Sequence, residues 1–424
     1  MNTEDKHLLF CLNTDNEASK TSVLAKWTDS DWNCLVRQSI KRGVAPYLYH
    51  RLKIMQPAAD ITADAGRRLK DIYLHSASRN IRLYHDLGKV LHVLLEDHIP
   101  VLVLKGAHLA ELVYGNIALR PMVDVDLMVR REDLARTAQG LEKLNYSPRH
   151  PFRVESHAHV RRHLPGFTRT GAVPIEIHHA IVHHADPFQI STDDLWRRAK
   201  PARIAGIEVL VLSQEDLLLN LCLHVAYQHR FLFCLRGLCD VIETLRSMKN
   251  PADAENLVKR AMEWKAGRCA FFTLSLAGEL LGGNTTEAFL KSFEPYAMDS
   301  ESLAWAKEQI FAEPDHGESV PHNLVRAWKI RGLHHRAAAL MKSVFVPRSV
   351  MAALYPAPPD SMRMYLFYLV RIRDVFRRYG RTAWRLLFHS KEAESGAEHE
   401  DRGNALEKWI TAGADGNALA DFTV

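Results

Sequence analysis

The chain has 424 residues, 47% hydrophobic and 25% charged, with a formal net charge of +5, the balance of an ordinary globular protein of roughly two to three domains. No apolar run approaches the roughly 18 residues of a membrane span, and MNTEDKHLLFCLNT carries acids early, so neither a transmembrane segment nor a secretory signal is expected. Six cysteines (Cys11, Cys34, Cys222, Cys234, Cys239, Cys269) form no CxxC pair, which argues against a disulfide framework and for reduced thiols in a cytoplasmic protein.

The first hundred residues read as helices. DWNCLVRQSIKRGVAPYLYHRLK has helical spacing with a break at Gly43–Pro46, and residues 63–98 form a long amphipathic pattern. The period then changes. Ile99 to Leu104 is a short β-branched run stopped by Lys105-Gly106, VDVDLMV (123–129) alternates strictly, and VPIEIHHAIV (173–182) is a further strand-like run. AHLAELVYG and REDLARTAQGLEKL lie between and after the first two as helices, and HVRRHLPGFTR is a weaker strand candidate. From Ser213 the chain turns helical again, with Ser213 and Asp216 spaced as a cap before an almost wholly apolar LLLNLCLHVAYQH. Between His322 and Lys391, 14 Lys/Arg stand against two acids, Asp360 and Asp374, a local net of +12 that leaves the rest of the chain negative. Its segment 361–388 mixes arginines with aromatics, which fits either an anionic partner (nucleic acid or a membrane surface) or an amphipathic helix with its aromatics packed inward. The Pro-rich 354–361 interrupts that region. Residues 391–405 lack apolar content and read as disordered.

The strand VDVDLMV carries the chemistry. Alternation puts Asp124, Asp126 and Met128 on one face and the valines and Leu127 on the other. Two carboxylates side by side repel each other, and a divalent cation between them resolves the conflict; oxygen-only ligation suits Mg²⁺ or Mn²⁺. The same alternation puts Glu176 on one face with His178, where it would complete a metal site or take a proton. The plain alternative is a solvent-facing acidic pair on a half-exposed strand. Gly106 at a strand-to-helix turn would let backbone N–H groups approach a phosphate; such glycines also occur for steric reasons.

These segments together, VLVLKGAHLAELVYG, LRPMVDVDLMV and VPIEIHH, with VAPYLYHRL before them and LSQEDLLLNLCLH and SVMAALYPAPPDSMRMYLFYLVR after, resemble the uncharacterised bacterial nucleotidyltransferase family of the polymerase-β superfamily. The resemblance spans most of residues 35–380. It implies an α+β fold, a small mixed sheet with helical regions on either side. It also implies that Asp124 and Asp126 bind the metals, that Glu176 supplies the third carboxylate, and that Gly106 takes the part of the phosphate turn. The superfamily usually has Gly-Ser or Gly-Gly at that turn; here Lys105-Gly106-Ala107 offers no hydroxyl, and Lys105 would act instead as a point charge.

The remaining candidates keep two readings. Arg120 either neutralises phosphate charge or is a loop arginine; His178 would orient the carboxylates or touch substrate. His178, His179, His183 and His184 could form a zinc cluster, but no cysteine or HExxH pattern accompanies them. His224 and Asp240 lie on apolar helical segments and read as satisfied core groups that a cleft could also use. The expected domains are a helical region 1–97, the core 98–212, a helical domain 213–312, a basic helical region 313–390 and a disordered or loosely packed tail 391–424. The expected function is metal-dependent transfer of NMP from an NTP to an acceptor hydroxyl on a small molecule, protein or RNA. The alternative is a non-catalytic nucleotide- or nucleic-acid-binding regulatory protein on the same fold.

Overall fold

The computed structural model describes residues 2–15, 17–55, 61–248, 252–293, 300–312, 345, 346, 348, 351, 355, 361–388 and 390–412. Helices α1 (Thr3–Leu12), α2 (Glu17–Leu24), α3 (Asp29–Lys41) and α4 (Ala45–Ile54) precede the long α5 (Ala63–Glu96). The break expected at Gly43–Pro46 is present. Gly43 has φ +67, a conformation that glycine adopts without steric cost, and Pro46 sits in the first turn of α4, where its missing N–H leaves no bond unmade.

A seven-stranded mixed sheet follows, in the spatial order β3-β4-β5-β2-β1-β7-β6. Its strands are β1 (Leu102–Val103), β2 (Val125–Met128), β3 (Ser147–Pro148), β4 (Phe167–Thr168), β5 (Ile175–His178), β6 (Lys200–Ile204) and β7 (Ile207–Val211). The pairs β2–β5 and β1–β7 are parallel and the others antiparallel, so the fold is α+β around a mixed sheet. Three expected strands are present, each shorter than its apolar run. HVRRHLPGFTR divides: α8 (Val154–Val160) takes its first residues, His163 forms a lone bridge to His178, and Phe167–Thr168 is β4. The β6–β7 hairpin turns at Ala205-Gly206, where both residues have positive φ, as a two-residue primed turn requires.

The two faces of the sheet meet different cores. Val103, Val125, Leu127, Ile175 and Ile177 pack under the second half of α5 and under α7 (Leu134–Lys143). Leu102, Leu104 and Met128 face a larger core. That core is built by the N-terminal helices with α10 (Gln214–Leu223), α11 (Leu235–Ser247), α12 (Ala252–Glu263), α13 (Gly267–Leu281), α14 (Gly283–Ser292) and α15 (Ser300–Ile310). Helix α10 is buried all round, as its composition predicts, and Ser213 Oγ caps it by accepting from Asp216 N. Helix α5 contributes Leu69 to one core and Leu87 to the other; 34 residues reach about 50 Å, enough to span both.

Two C-terminal helices complete the described chain, α16 (Arg363–Phe388) and α17 (Ser390–Thr411). The expectation of a disordered 391–405 is corrected for these residues: they are helical. Just beyond them Leu406 and Ile410 are buried in the large core with Trp409 against it, an i, i+3, i+4 stripe that anchors the helix. Residues 413–424 of the expected tail, and 313–344 with most of the Pro-rich 354–361, lie outside the described residues. On α16, Phe367 and Tyr368 pack beside Val346, Met351 and Met364, while Tyr365, Leu366 and Leu369 are exposed.

A polar row on α5 fixes the loop that leads into β2. Ser76 Oγ donates to Ala118 O, Asn80 Nδ2 to the carbonyls of Ile117 and Arg120, and Tyr84 Oη to Ala107 O. Residues 76, 80 and 84 are one turn apart, so one helix face serves two backbone segments, the 117–120 loop and α6 (Lys105–His108). Asn80 is fully buried. Asn80→Ala is expected to destabilise the protein by about 1–3 kcal/mol through the carbonyls left without a donor, as measured by urea denaturation.

Candidate active site

The parallel register of β2 and β5 sets Asp126 beside Glu176 and Met128 beside His178. Both strands alternate, so the apolar partners Val125, Leu127, Ile175 and Ile177 enter the core under α5 and α7 while the polar ones turn to the helical body. Ligand atoms of Asp126, Glu176 and His178 lie within 4.8 Å of one another. His178 Nε2 donates to Asp126 Oδ1 at 2.9 Å and lies 3.7 Å from Glu176 Oε2.

Asp124 is not a member of that close cluster. The strand begins at Val125, so residues 121–124 belong to the preceding loop and Val123, expected on the core face, is 54% exposed. Asp124 is half-buried and feels the charges of Asp126, Lys105, Arg120 and Arg236. The zinc cluster does not form. Among the described residues the group able to hold a metal is Asp126, Glu176 and His178, without His179, His183 or His184.

Lys105 enters the site from the end of β1. Its ammonium lies 3.6 Å from Asp126 Oδ2 and 3.4 Å from His224 Nδ1. The residue opens the short α6 (Lys105–His108) with φ +24, a strained value for a lysine that the surrounding packing must hold. After α6 the chain widens into a π turn, Leu109–Val113, and His224–Gln228 after α10 forms a second one; such bulges re-aim side chains and concentrate at functional sites. Gly106 has another justification. A Cβ there would stand 3.3 Å from both Arg120 Nη1 and Met122 Sδ, so the glycine admits close packing of the arginine that follows.

Arg120 is itself committed. Its Nε and Nη2 donate to both carboxylate oxygens of Asp240 at 2.9–3.1 Å, and Tyr114 Oη donates to the same carboxylate at 2.9 Å. Arg236, one turn before Asp240 on α11, donates to Pro121 O. Asp240 thus acts as the link between helical body and core, a role its apolar helix did not advertise. His163, its ring tilted against His178 at 5.1 Å, and Arg162, which interacts with the charges of Asp126 and Glu176, are further neighbours that sequence reasoning passed over. Their one signal was the HVRRH run, taken there as strand composition.

The electrostatics divide the acids. Burial alone would raise Asp126, but Lys105 and the His178 hydrogen bond outweigh it and hold the carboxyl far below the usual range. Asp124 and Glu176 go the other way: burial raises each, and the Asp126 charge raises them further. Burial pushes His178 down to about 4 and His224 well below its ordinary value, the latter helped by Lys105. Both rings are therefore neutral at neutral pH. Residual repulsion among carboxylates in a half-buried niche is the situation that a divalent cation relieves, so the residues present fit such an ion.

Residues 28–282 match the family described as uncharacterised nucleotidyltransferase. The chain belongs to that family. The match covers α3 to α13 and so includes the whole sheet, the carboxylates and the Asp240 link. No curated protein and no solved structure matches the chain. Among the described residues no helix of this nucleotidyltransferase-family protein is long and apolar enough to cross a membrane.

Asp240→Ala would leave Arg120 buried without its counter-ion. The expected cost is about 3–5 kcal/mol in denaturant unfolding, whereas the paired replacement Arg120→Met with Asp240→Leu is expected to cost less, because no unpaired charge remains.

Proposed function

We propose that this nucleotidyltransferase transfers a nucleoside monophosphate from an NTP to an acceptor hydroxyl. The observation that carries the reading is the in-register pairing of Asp126 with Glu176 on the sheet face that meets the helical body. The acceptor oxygen bonds to the α-phosphorus, the bond from that phosphorus to the α–β bridging oxygen breaks, and pyrophosphate leaves. Glu176 takes the hydroxyl proton, being the member of the adjacent pair whose carboxyl is raised. Asp124 and Asp126, with Glu176 beside them, would hold a divalent cation, which when bound supplies charge stabilisation to the phosphates. Lys105 steadies the triphosphate as a point charge. His178 orients Asp126 through its Nε2–H. Arg120, its guanidinium taken up by Asp240, positions the Gly106 turn; contact with phosphate is not the part its geometry favours. An origin in the polymerase-β superfamily is consistent with this arrangement of carboxylates on a mixed sheet.

A second reading, nucleotide binding without transfer, has one observation in its favour. An internal cation, Lys105, already lies against Asp126, and no hydroxyl follows Gly106.

Thermal-shift measurements with each of the four NTPs separate the two. Transfer predicts that at least one NTP stabilises the protein only when Mg²⁺ or Mn²⁺ is present, and that Asp126→Asn removes the effect while leaving the unliganded protein folded. Stabilisation that survives in Asp126→Asn overturns the metal assignment. Stabilisation without metal, with no nucleotide mass added to any acceptor by mass spectrometry, favours the second reading.

Acidity gives an independent check. The raised carboxyls of Asp124 and Glu176 must lose their protons to take a cation, so they protonate early as pH falls. Metal-dependent stabilisation is expected to fade on descending from about pH 8, before the range near 4 in which ordinary carboxylates titrate. A flat profile down to that range would contradict the shared charge of the cluster.

A further inference from the structure

A cavity of about 570 Å³ opens where the chain leaves β2 and β5, within the size of ordinary small-molecule sites. Its wall is unusually basic. Arg130 and Arg131 follow β2, Arg161 and Arg162 follow α8, and all four line it, against the acids Glu132 and Asp193. Arg131 and Arg161 are exposed and form no ion pair among the described residues. Arg130 reaches Asp193 only at 3.8 Å and lies 4.9 Å over the ring of Trp196, which forms an apolar wall. Four like charges gathered around one concavity repel each other, and an anion held between them relieves that repulsion. Planar guanidiniums arriving from two segments suit the tetrahedral oxygens of a phosphate ester.

We infer that this cavity binds a phosphate-bearing small molecule, the acceptor of the transfer, with its phosphate held by Arg131 and Arg161 and its apolar part against Trp196. This inference rests on the nucleotidyl-transfer reading for the word acceptor. Arg162 and His179 connect the two places: Arg162 lines the cavity and donates to Ile181 O, and His179, which also lines it, directly follows the His178 of the carboxylate cluster. A molecule anchored by its phosphate in the cavity would extend a hydroxyl past Arg162 toward the carboxylates. Its limited volume favours a small molecule over a nucleic-acid strand, which needs an extended basic groove.

The test begins without metal. Inorganic phosphate is titrated into the full chain in EDTA at low salt, followed by phosphorus NMR line broadening. Binding is expected in the wild type, is expected to weaken at least about tenfold in the double variant Arg131→Ser with Arg161→Ser, and is expected to persist in Asp126→Asn. Both arginines are exposed, so the double variant should keep the wild-type melting temperature; Arg67→Ser, on an exposed face of α5, serves as a control and should bind as the wild type does. Equal binding by the double variant, or loss of binding in Asp126→Asn, overturns the site. The acceptor role is tested by offering paired sugars with and without a phosphate group alongside Mg²⁺ and the NTPs. Nucleotide mass added only to phosphorylated members, and lost in the double variant, supports it; addition to both members alike overturns it. Phosphate binding in EDTA without any metal-dependent NTP effect would retain the anion site and sink the transfer reading, so the two failures are distinguishable.

Discussion

The site depends on one pairing. Parallel hydrogen bonding of β2 to β5 in the register Asp126 to Glu176 brings two carboxylates together on a face whose neighbours, Leu102, Leu104 and Met128, are buried against the helical body. A sheet gains nothing from acids there, since burial penalises their charge and proximity makes the penalty worse. What surrounds the pair reads as compensation. Lys105 and His178 stabilise the Asp126 charge, and Asp124 and Glu176 retain the unresolved part of the repulsion.

Delivering those groups requires departures from regular structure. Lys105 adopts a positive φ at the end of β1, a conformation with a cost of order 1–3 kcal/mol that only dense surroundings sustain. Those surroundings are fully connected. Tyr84 on α5 binds the carbonyl of Ala107, Asn80 binds that of Arg120, Arg120 lies over Gly106, and Asp240 on α11 holds Arg120. The turn carrying Lys105 is therefore clamped between the long helix on one side and the helical body on the other. The second π turn begins at His224, whose ring meets Lys105 from across this interface.

How much of this was legible follows from which forces act locally. Strict alternation in VDVDLMV and the β-branched VPIEIHHAIV identified β2 and β5 and the residues on the face they share, because side-chain direction in a strand is a property of adjacent residues. The long α5 and the buried α10 were legible for the same reason. Alternation could not say where a strand starts, so Asp124 was assigned to the strand when it precedes it and Val123 to a core it does not enter. The β6–β7 hairpin lacked an Asn-Gly or Asp-Gly signal and carries its turn on Ala205-Gly206. The helical tail was misjudged from its charged first half, since its anchor, Leu406 to Ile410, comes after it. The partnership of Arg120 with Asp240 spans 120 residues of chain, and no local pattern encodes it.

Where the resembled superfamily usually has Gly-Ser or Gly-Gly, this chain has Gly106-Ala107 with Lys105 before them, and in the proposed transfer the lysine's charge bears on what the site can accept. Asp124, Asp126 and Glu176 carry three negative charges when ionised, His178 and His224 are neutral, and Lys105 returns one positive charge at 3.6 Å from Asp126. The deficit in this inner group is two charges, the charge of one divalent cation rather than of two. Arg120 does not alter the count, because Asp240 cancels it, and Arg162 and Arg236, whose charges also reach these carboxylates, make two an upper bound. A triphosphate arriving at such a site brings more negative charge than a single cation offsets. In the proposed reaction the lysine, which lies against Asp126, would be free to meet it once a cation takes that carboxylate. In the proposed transfer Lys105 would therefore substitute in part for a second cation, its ammonium offsetting the missing hydroxyl after Gly106.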